Sequence, residues 1–227
     1  MWVRPCILPG GTGSHRPNAR FCFTETPHLG STRIQHQCVD DPYYSPSPLL
    51  ILDRPLALVG FLGARVPQTA AMFSALTGVP LLDLERMVEH RVGSSLVRFV
   101  LTEGLDALHT AEEALLRQQL RLSPPPVLAL GPATLQHPAS ARLIRRHATL
   151  VYIQRDMLEM YGNLLDELDD ASSRCWMMAG QRPGSVGDLL PAFAGWRPSY
   201  ERAQHTLNGS SRSPTAIANE LVAQLQQ

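Results

Sequence analysis

Short apolar runs alternate with longer segments of helical periodicity from about Pro55 onward. Four runs are brief, continuous and followed by glycine or polar residues, which is typical of buried strands. They cover residues 56–59, 81–83, 127–130 and 150–153. Between them, apolar residues recur every three or four positions, and glycine or proline marks several segment ends. These segments predict helices over residues 67–77, 84–92, 95–102, 105–121, 137–147, 157–168, 185–195 and 214–226.

The alternation of strands and helices predicts an α/β fold, in which a parallel sheet carries helices on both faces. Ligands of such folds bind beyond the carboxyl ends of the strands, where the connecting loops meet. The residues that follow Val59, Leu82, Leu130 and Ile153 are therefore the first candidates for a functional site.

The first part of the chain differs in character. Residues 1–54 lack both periodicities and are rich in proline, glycine, serine, threonine and histidine, so we predict a disordered or weakly ordered extension before an ordered domain over residues 55–227. The glycine-rich string at 10–14 has no strand before it and no helix after it, which argues against a phosphate loop. No cysteine belongs to a C-x-x-C pair, so we expect no metal site. The cysteines are Cys6, Cys22, Cys38 and Cys175.

Charge and composition narrow the range of functions. The 227 residues include 20 basic and 20 acidic side chains. This balance argues against binding of nucleic acid or of an anionic membrane through the net charge of the whole chain. Every basic residue is an arginine, so Schiff-base chemistry and a phosphate-binding lysine are excluded. No apolar run is long enough to span a membrane, and the N-terminus is a poor secretory signal. We therefore expect an intracellular protein, in the cytoplasm or nucleus, without direct nucleic-acid or membrane binding.

The loop after the first predicted strand, residues 60–68, has the sequence GFLGARVPQ. It resembles the P-loop of the shikimate kinase family, whose pattern is G-F-M-G-(A/S)-G-K-(S/T)-T. The matching residues are Gly60, Phe61, Gly63 and Ala64. The next three depart from the pattern, because Arg65 replaces the second glycine, Val66 the lysine and Pro67 the residue that offers magnesium a hydroxyl.

Three further segments resemble the same family at the family's spacing. Residues 78–85 (GVPLLDLE) are similar to G-(L/R)-P-F-(I/V)-D-x-D. Residues 103–112 (EGLDALHTAE) are similar to E-G-x-x-x-F-R-x-x-E, and residues 131–133 (GPA) stand where the family has three glycines.

The resemblance continues to the end of the chain and covers residues 55–226. Residues 151–156 (VYIQRD) look like the fourth-strand segment of fungal members, and residues 182–200 follow the spacing of the lid and final helix. In style the chain is closest to the shikimate-kinase-like modules of fungal pentafunctional aromatic-pathway polypeptides and of quinate repressors. The resemblance therefore implies a P-loop kinase-like, three-layer fold.

The resemblance also implies roles for individual residues. The nucleotide side comprises Gly60, Gly63, Ala64 and Arg65; the catalytic remnants are Asp83 and Arg182; the substrate side comprises Glu85, His109 and Gly131. His109 and Trp196 stand where the family binds a carboxylate with arginines. Asp83 and Glu85 are equally explained as a helix cap and a first-turn acid, and His109 as a packed side chain.

Phosphoryl transfer depends on positioning and on neutralising charge, and the loop has lost three groups that serve this purpose. Our main interpretation is therefore a non-catalytic regulatory module with no cofactor. Likeness to quinate repressors implies a transcriptional activator as partner, or a ring acid such as shikimate or quinate. The alternative is a divergent shikimate kinase that transfers the γ-phosphate of ATP to shikimate, with magnesium, and with Arg65 and Asp83 as its rebuilt site. A third possibility is a truncated or decayed gene product.

Overall fold

The computed structural model describes residues 50–169 and 183–226, and within these ranges five strands form one sheet. The strands are β1 (Leu56–Val59), β2 (Leu81–Asp83), β3 (Val127–Ala129), β4 (Thr149–Gln154) and β5 (His205–Asn208). All neighbouring strands run parallel, in the order β2-β3-β1-β4-β5. The predicted parallel sheet is confirmed.

Eight α-helices within the described ranges connect and follow these strands. They are α1 (Val66–Thr77), α2 (Leu84–Val92), α3 (Leu96–Glu103), α4 (Leu105–Gln119), α5 (Pro138–His147), α6 (Met157–Asp169), α7 (Leu190–Tyr200) and α8 (Pro214–Leu225). Helix α1 packs against α8, and α4 packs against α2, α3 and α5. The helices flank the sheet, which gives the expected three-layer α/β/α architecture. No helix in the described ranges is long and apolar enough to cross a membrane.

Side-chain caps explain where three of the helices begin. Asp83 accepts a hydrogen bond from the backbone N–H of Arg86 at the start of α2, and Ser95 and Ser213 do the same at the starts of α3 and α8. Each cap satisfies a backbone donor that the first turn leaves without a partner.

The centre of the sheet is β1, which pairs with β3 on one side and β4 on the other. Its four residues are at most 1% exposed, because both faces of a central strand in an α/β protein are covered by helices. Leu58 is in register with Ala129 of β3 and Val151 of β4. The loops that follow β1 and β3 consequently emerge side by side.

Two sequence-based predictions differ from the structure. Strand β5 was not predicted, because only Leu207 of its four residues is buried and the segment has no apolar run. The helix predicted over 185–195 begins at Leu190, after a short 3₁₀ turn, and continues through Pro198 to Tyr200. Of the predicted extension 1–54, only residues 50–54 lie in the described ranges, and the domain boundary at 55 remains a prediction.

The last residue of α7 is fixed by a buried tyrosine pair. The Tyr200 hydroxyl donates to the Pro132 carbonyl at 2.6 Å, and its ring stacks on that of Tyr152 in β4 with centroids 5.3 Å apart. Tyr200 is fully buried. Burial raises its pKa well above the ordinary value, and the neighbouring Tyr152 adds to this effect.

We predict that stability declines at strongly alkaline pH and that Tyr200→Phe flattens this decline. A phenol with a raised pKa binds its proton more tightly in the folded chain than in the unfolded one. The contribution of the Tyr200 phenol to the free energy of unfolding is present below the unfolded pKa of about 10, and it is lost as pH rises through the folded pKa. Urea unfolding at several pH values measures this effect, with Tyr161→Phe as control. An equally steep decline in Tyr200→Phe would contradict the prediction.

Candidate active site

The loops after β1, β2 and β3 lie next to one another at the carboxyl edge of the sheet. Asp83 is in register with Ala129, and Ala129 with Leu58. Gly60, Glu85 and Gly131, which follow these strands within two residues, are therefore brought together as the parallel fold requires. The sequence-predicted nucleotide and substrate residues thus occupy one edge of the molecule.

The loop after β1 contains two residues in the left-handed backbone conformation. Gly63 has a φ of 73°, and Arg65 has φ 58° and ψ 40°, so both lie in the left-handed region. The Ala64 N–H donates to the Phe61 carbonyl at 3.0 Å and closes a turn between them. Left-handed residues interspersed in a turn of this kind orient backbone N–H groups toward a common point, which favours an anion.

Arg65 occupies a position where glycine is favoured, as the sequence comparison with the P-loop pattern predicts. The left-handed conformation costs a residue with a Cβ about 1 kcal/mol or more. Its carbonyl accepts hydrogen bonds from the N–H and the hydroxyl of Thr69, each at 3.0 Å, and so fixes the start of α1. Val66 follows as a buried residue, and Pro67 occupies the first turn.

The Arg65 guanidinium is the only cationic group on residues 60–68. It lies 3.5 Å from the Asp166 carboxylate of α6, and the two side chains are 37% and 76% exposed. An ion pair this exposed is weak. The guanidinium can therefore exchange Asp166 for another anion at little cost.

Asp83 acts as the cap of α2, which is one of the two roles that the sequence suggested. Its carboxylate accepts from the Arg86 N–H at 3.1 Å and lies 3.5 Å from Arg86 Nε. The Asp83 side chain is only 12% exposed, while that of Arg86 is 73% exposed. The carboxylate is held at the end of β2, which is separated from β1 in the sheet by β3.

Glu85 approaches the turn after β3 through the space that a side chain at residue 131 would fill. A Cβ on Gly131 would lie 2.9 Å from Glu85 Oε1 and 3.2 Å from Thr134 Oγ1. The glycine is therefore required for this close contact. Gly131 and Glu85, both predicted on the substrate side, are in direct contact.

A buried polar cluster lies behind this contact, and it includes His109. Thr134 donates its hydroxyl to Glu112 Oε1 at 2.8 Å, and His109 Nδ1 lies 3.5 Å from Glu112 Oε2. The His109 ring stacks on that of His137 at 5.1 Å, with an angle of 8° between the planes. His109 is 8% exposed, so it is packed, but among polar groups and not on an apolar face.

Thr134 and His137 were not predicted as part of this region. Both follow β3 by several residues, and their sequence neighbours carry no motif that marks them. Their positions result from the turn after β3, which carries them back toward α4.

Two further predicted positions have different outcomes. Trp196 packs edge-on against the Phe61 ring at a centroid distance of 5.6 Å, and Phe193 does so at 5.2 Å. These α7 rings cover the start of the loop after β1. Arg182 lies outside the described residues, so its predicted role is untested. Among the described residues, no group of three or more His, Cys, Asp or Glu side chains is arranged to hold a metal.

Comparison with known proteins identifies the family. The sequence model of the family described as "Shikimate kinase" matches residues 68–226. A shikimate kinase of Nitrosomonas europaea is 25% identical over 178 residues, which cover 76% of this chain and 78% of the relative.

Solved structures share the fold. A shikimate kinase from Acinetobacter baumannii in complex with shikimate superposes with a TM-score of 0.63 at 18% identity, covering 76% of this chain and 93% of that one. The shikimate kinase from Bacteroides thetaiotaomicron gives 0.65 at 16% identity, covering 77% and 99%.

These findings correct the main functional interpretation. The expected non-catalytic regulator is wrong, because the matching family and the relative from Nitrosomonas europaea are shikimate kinases. The expected likeness to the modules of fungal pentafunctional polypeptides and quinate repressors is not confirmed. The expected nuclear location and transcriptional-activator partner followed from that interpretation and have no other support. The expectation of no cofactor is not confirmed, since the family implies ATP and magnesium. Because the matching segment spans well over half of its length, the chain belongs to the shikimate kinase family.

Proposed function

We propose that the chain is a divergent shikimate kinase, which transfers the γ-phosphate of ATP to a hydroxyl group of shikimate. The observation that carries this proposal is the retained loop after β1, with left-handed Gly63 and Arg65, beside the Glu85–Gly131 contact at the ends of β2 and β3. Family membership over residues 68–226 supports the same reaction.

On the donor side, backbone groups and one guanidinium replace the usual lysine. The loop and the N-terminus of α1 present N–H groups and a positive dipole to an anion. Arg65 adds a full charge, and a guanidinium binds phosphate oxygens well. Its weak pair with Asp166 leaves it available. The residues present therefore fit a triphosphate, although the Val66 side chain offers no charge.

Magnesium, when bound with ATP, neutralises phosphate charge during transfer. Mg²⁺ in such sites is held by one or two carboxylates together with water and substrate phosphates. Asp83 is a carboxylate at the end of β2 on the same edge of the sheet as the loop, so it is the residue that would hold the ion. Pro67 contributes no hydroxyl, which leaves the protein's share of the coordination smaller than in the family pattern.

On the acceptor side, Glu85 is the group that orients the substrate. A carboxylate accepts hydrogen bonds from vicinal hydroxyl groups, and the missing side chain at Gly131 lets it lie against the turn after β3. The buried Thr134–Glu112 hydrogen bond holds this turn to α4. The acceptor hydroxyl is thereby positioned toward the loop that binds the donor.

We expect slow turnover, because removing one charge-stabilising group from a preorganised site costs about a hundred- to a thousandfold in rate. The direct test incubates the purified chain with ATP, magnesium and shikimate and detects phosphorylated shikimate by mass spectrometry. Product above the enzyme-free background, dependent on both substrates, is expected. No product, together with no heat of ATP binding in calorimetry, would overturn the proposal.

Restoring the loop should raise the rate. The triple variant Arg65→Gly, Val66→Lys, Pro67→Ser regains the glycine, the cation and the hydroxyl, and we predict at least a tenfold increase in kcat. Met72→Lys, which adds a lysine on the exposed side of α1, is the matched control and should change nothing. Arg65→Ala in the native loop should abolish turnover without lowering the melting temperature. A restored loop that is no faster would contradict the assignment of this loop as the phosphate site, and unchanged turnover in Arg65→Ala would contradict the assignment of Arg65.

Filling the space at Gly131 should weaken the binding of shikimate, the substrate that accepts the phosphate. In Gly131→Ala the new methyl group would lie 2.9 Å from Glu85 Oε1 and displace the carboxylate. Since the displaced group is the end of a flexible side chain, we predict a KM for shikimate raised roughly tenfold, with the KM for ATP unchanged. Glu85→Gln should act in the same direction. Gly162→Ala, where an added Cβ meets nothing within 4 Å, is the control. Equal KM values in both glycine variants would disprove the role of this contact.

A further inference from the structure

The outer side of the phosphate loop is held by Arg155, which directly follows β4, and by Asn163 of α6. Arg155 Nε donates to the Ala64 carbonyl at 3.1 Å, and Asn163 Nδ2 donates to the Gly63 carbonyl at 2.9 Å. Helix α6 lies so close that a Cβ on Gly63 would be 2.0 Å from the Met160 carbonyl oxygen. Two consecutive loop carbonyls are therefore directed outward, toward these elements.

This arrangement determines the direction of the loop N–H groups. In a planar trans peptide the C=O of one residue and the N–H of the next point in opposite directions. Fixing the Ala64 carbonyl on the Arg155 side thus turns the Arg65 N–H toward the inner side of the loop. Fixing the Gly63 carbonyl likewise directs the Ala64 N–H away from α6, and that N–H donates to the Phe61 carbonyl and closes the turn.

Arg155 is itself rigidly placed. Its side chain is 1% exposed and pairs with Glu159 on α6, and its Nη2 donates to the Arg212 carbonyl at 3.0 Å. Glu159 in turn accepts from the Ser211 N–H at 2.8 Å. The guanidinium therefore joins the phosphate loop to α6 and to the segment between β5 and α8.

We propose that Arg155 and Asn163 are positioning residues that impose the anion-binding shape on a loop lacking the second glycine. A strained left-handed residue persists only where its surroundings over-determine it, and Arg65 is such a residue. The two side-chain donors supply that restraint from outside the loop. The inference about loop shape is independent of activity, while its consequence for phosphate binding rests on the proposed function.

Hydrogen exchange of the peptide covering residues 60–66 tests the restraint. Arg155→Met removes a charged donor from the Ala64 carbonyl, and Asn163→Ala removes the amide donor from the Gly63 carbonyl. Each variant should therefore speed exchange in this peptide roughly tenfold. Arg117→Met and Asn219→Ala, exposed positions on α4 and α8, should leave it unchanged. Asn163→Ala is the milder variant and remains informative if Arg155→Met does not fold.

A double-mutant comparison separates positioning from general destabilisation. Glycine adopts the left-handed conformation freely, so the effect of Asn163→Ala on loop exchange should be several-fold smaller in an Arg65→Gly background. An equal effect in both backgrounds, or exchange at the native rate in both folded single variants, would overturn the proposal.

Nucleotide binding gives the second readout. Calorimetry with ATP and magnesium should show about a tenfold weaker Kd in Asn163→Ala, with the KM for shikimate unchanged. If the native chain binds no ATP, the proposed kinase function fails while the exchange result still decides the role of Arg155 and Asn163. An unchanged Kd in Asn163→Ala, beside tight binding by the native chain, would contradict the positioning role alone.

Discussion

The contact between Gly63 and α6 constrains the whole candidate site. The Gly63 backbone lies against the Met160 carbonyl so closely that no side chain fits between them. This contact fixes the distance between the loop after β1 and α6, and the loop carbonyls consequently reach Arg155 and Asn163. The direction of the Arg65 N–H, and with it the capacity to bind an anion, follows from that distance.

Most of the fold could be predicted from periodicity. Strands β1 to β4 and most helices were recognised because their apolar residues recur at the spacing that burial requires. Strand β5 was not predicted, because it is a polar edge strand with a single buried residue, Leu207. Helix α7 passes through Pro198, where a sequence argument would stop it, and its end is held by the hydrogen bond from Tyr200 to the Pro132 carbonyl.

The candidate site was only partly predictable. Local motifs found Gly60, Gly63, Asp83 and Glu85 because each lies at the end of a strand or within four residues after it. Arg155 lies just after β4 in the quoted segment 151–156, but no role was predicted for it, and Asn163 lies in α6 outside every quoted motif. They are 91 and 100 residues away in sequence from the loop carbonyls that they hold, and only the parallel sheet brings them there.

The functional interpretation failed for the same reason. Three departures at residues 65–67 predicted a dismantled phosphate site, because reasoning from the motif treats the loop as self-contained. In the structure, the left-handed shape at Arg65 survives with contacts from outside the loop. Loss of a motif residue therefore does not establish loss of the geometry that the motif normally produces.

The most direct test of the central claim is nuclear magnetic resonance of the ¹⁵N-labelled chain titrated with ATP and magnesium. The claim is that the Arg65 N–H faces the bound phosphates. It predicts a saturable shift of the Arg65 backbone amide resonance, while amides at the end of α8 stay unchanged. An Arg65 resonance that does not move at millimolar ATP would contradict the account.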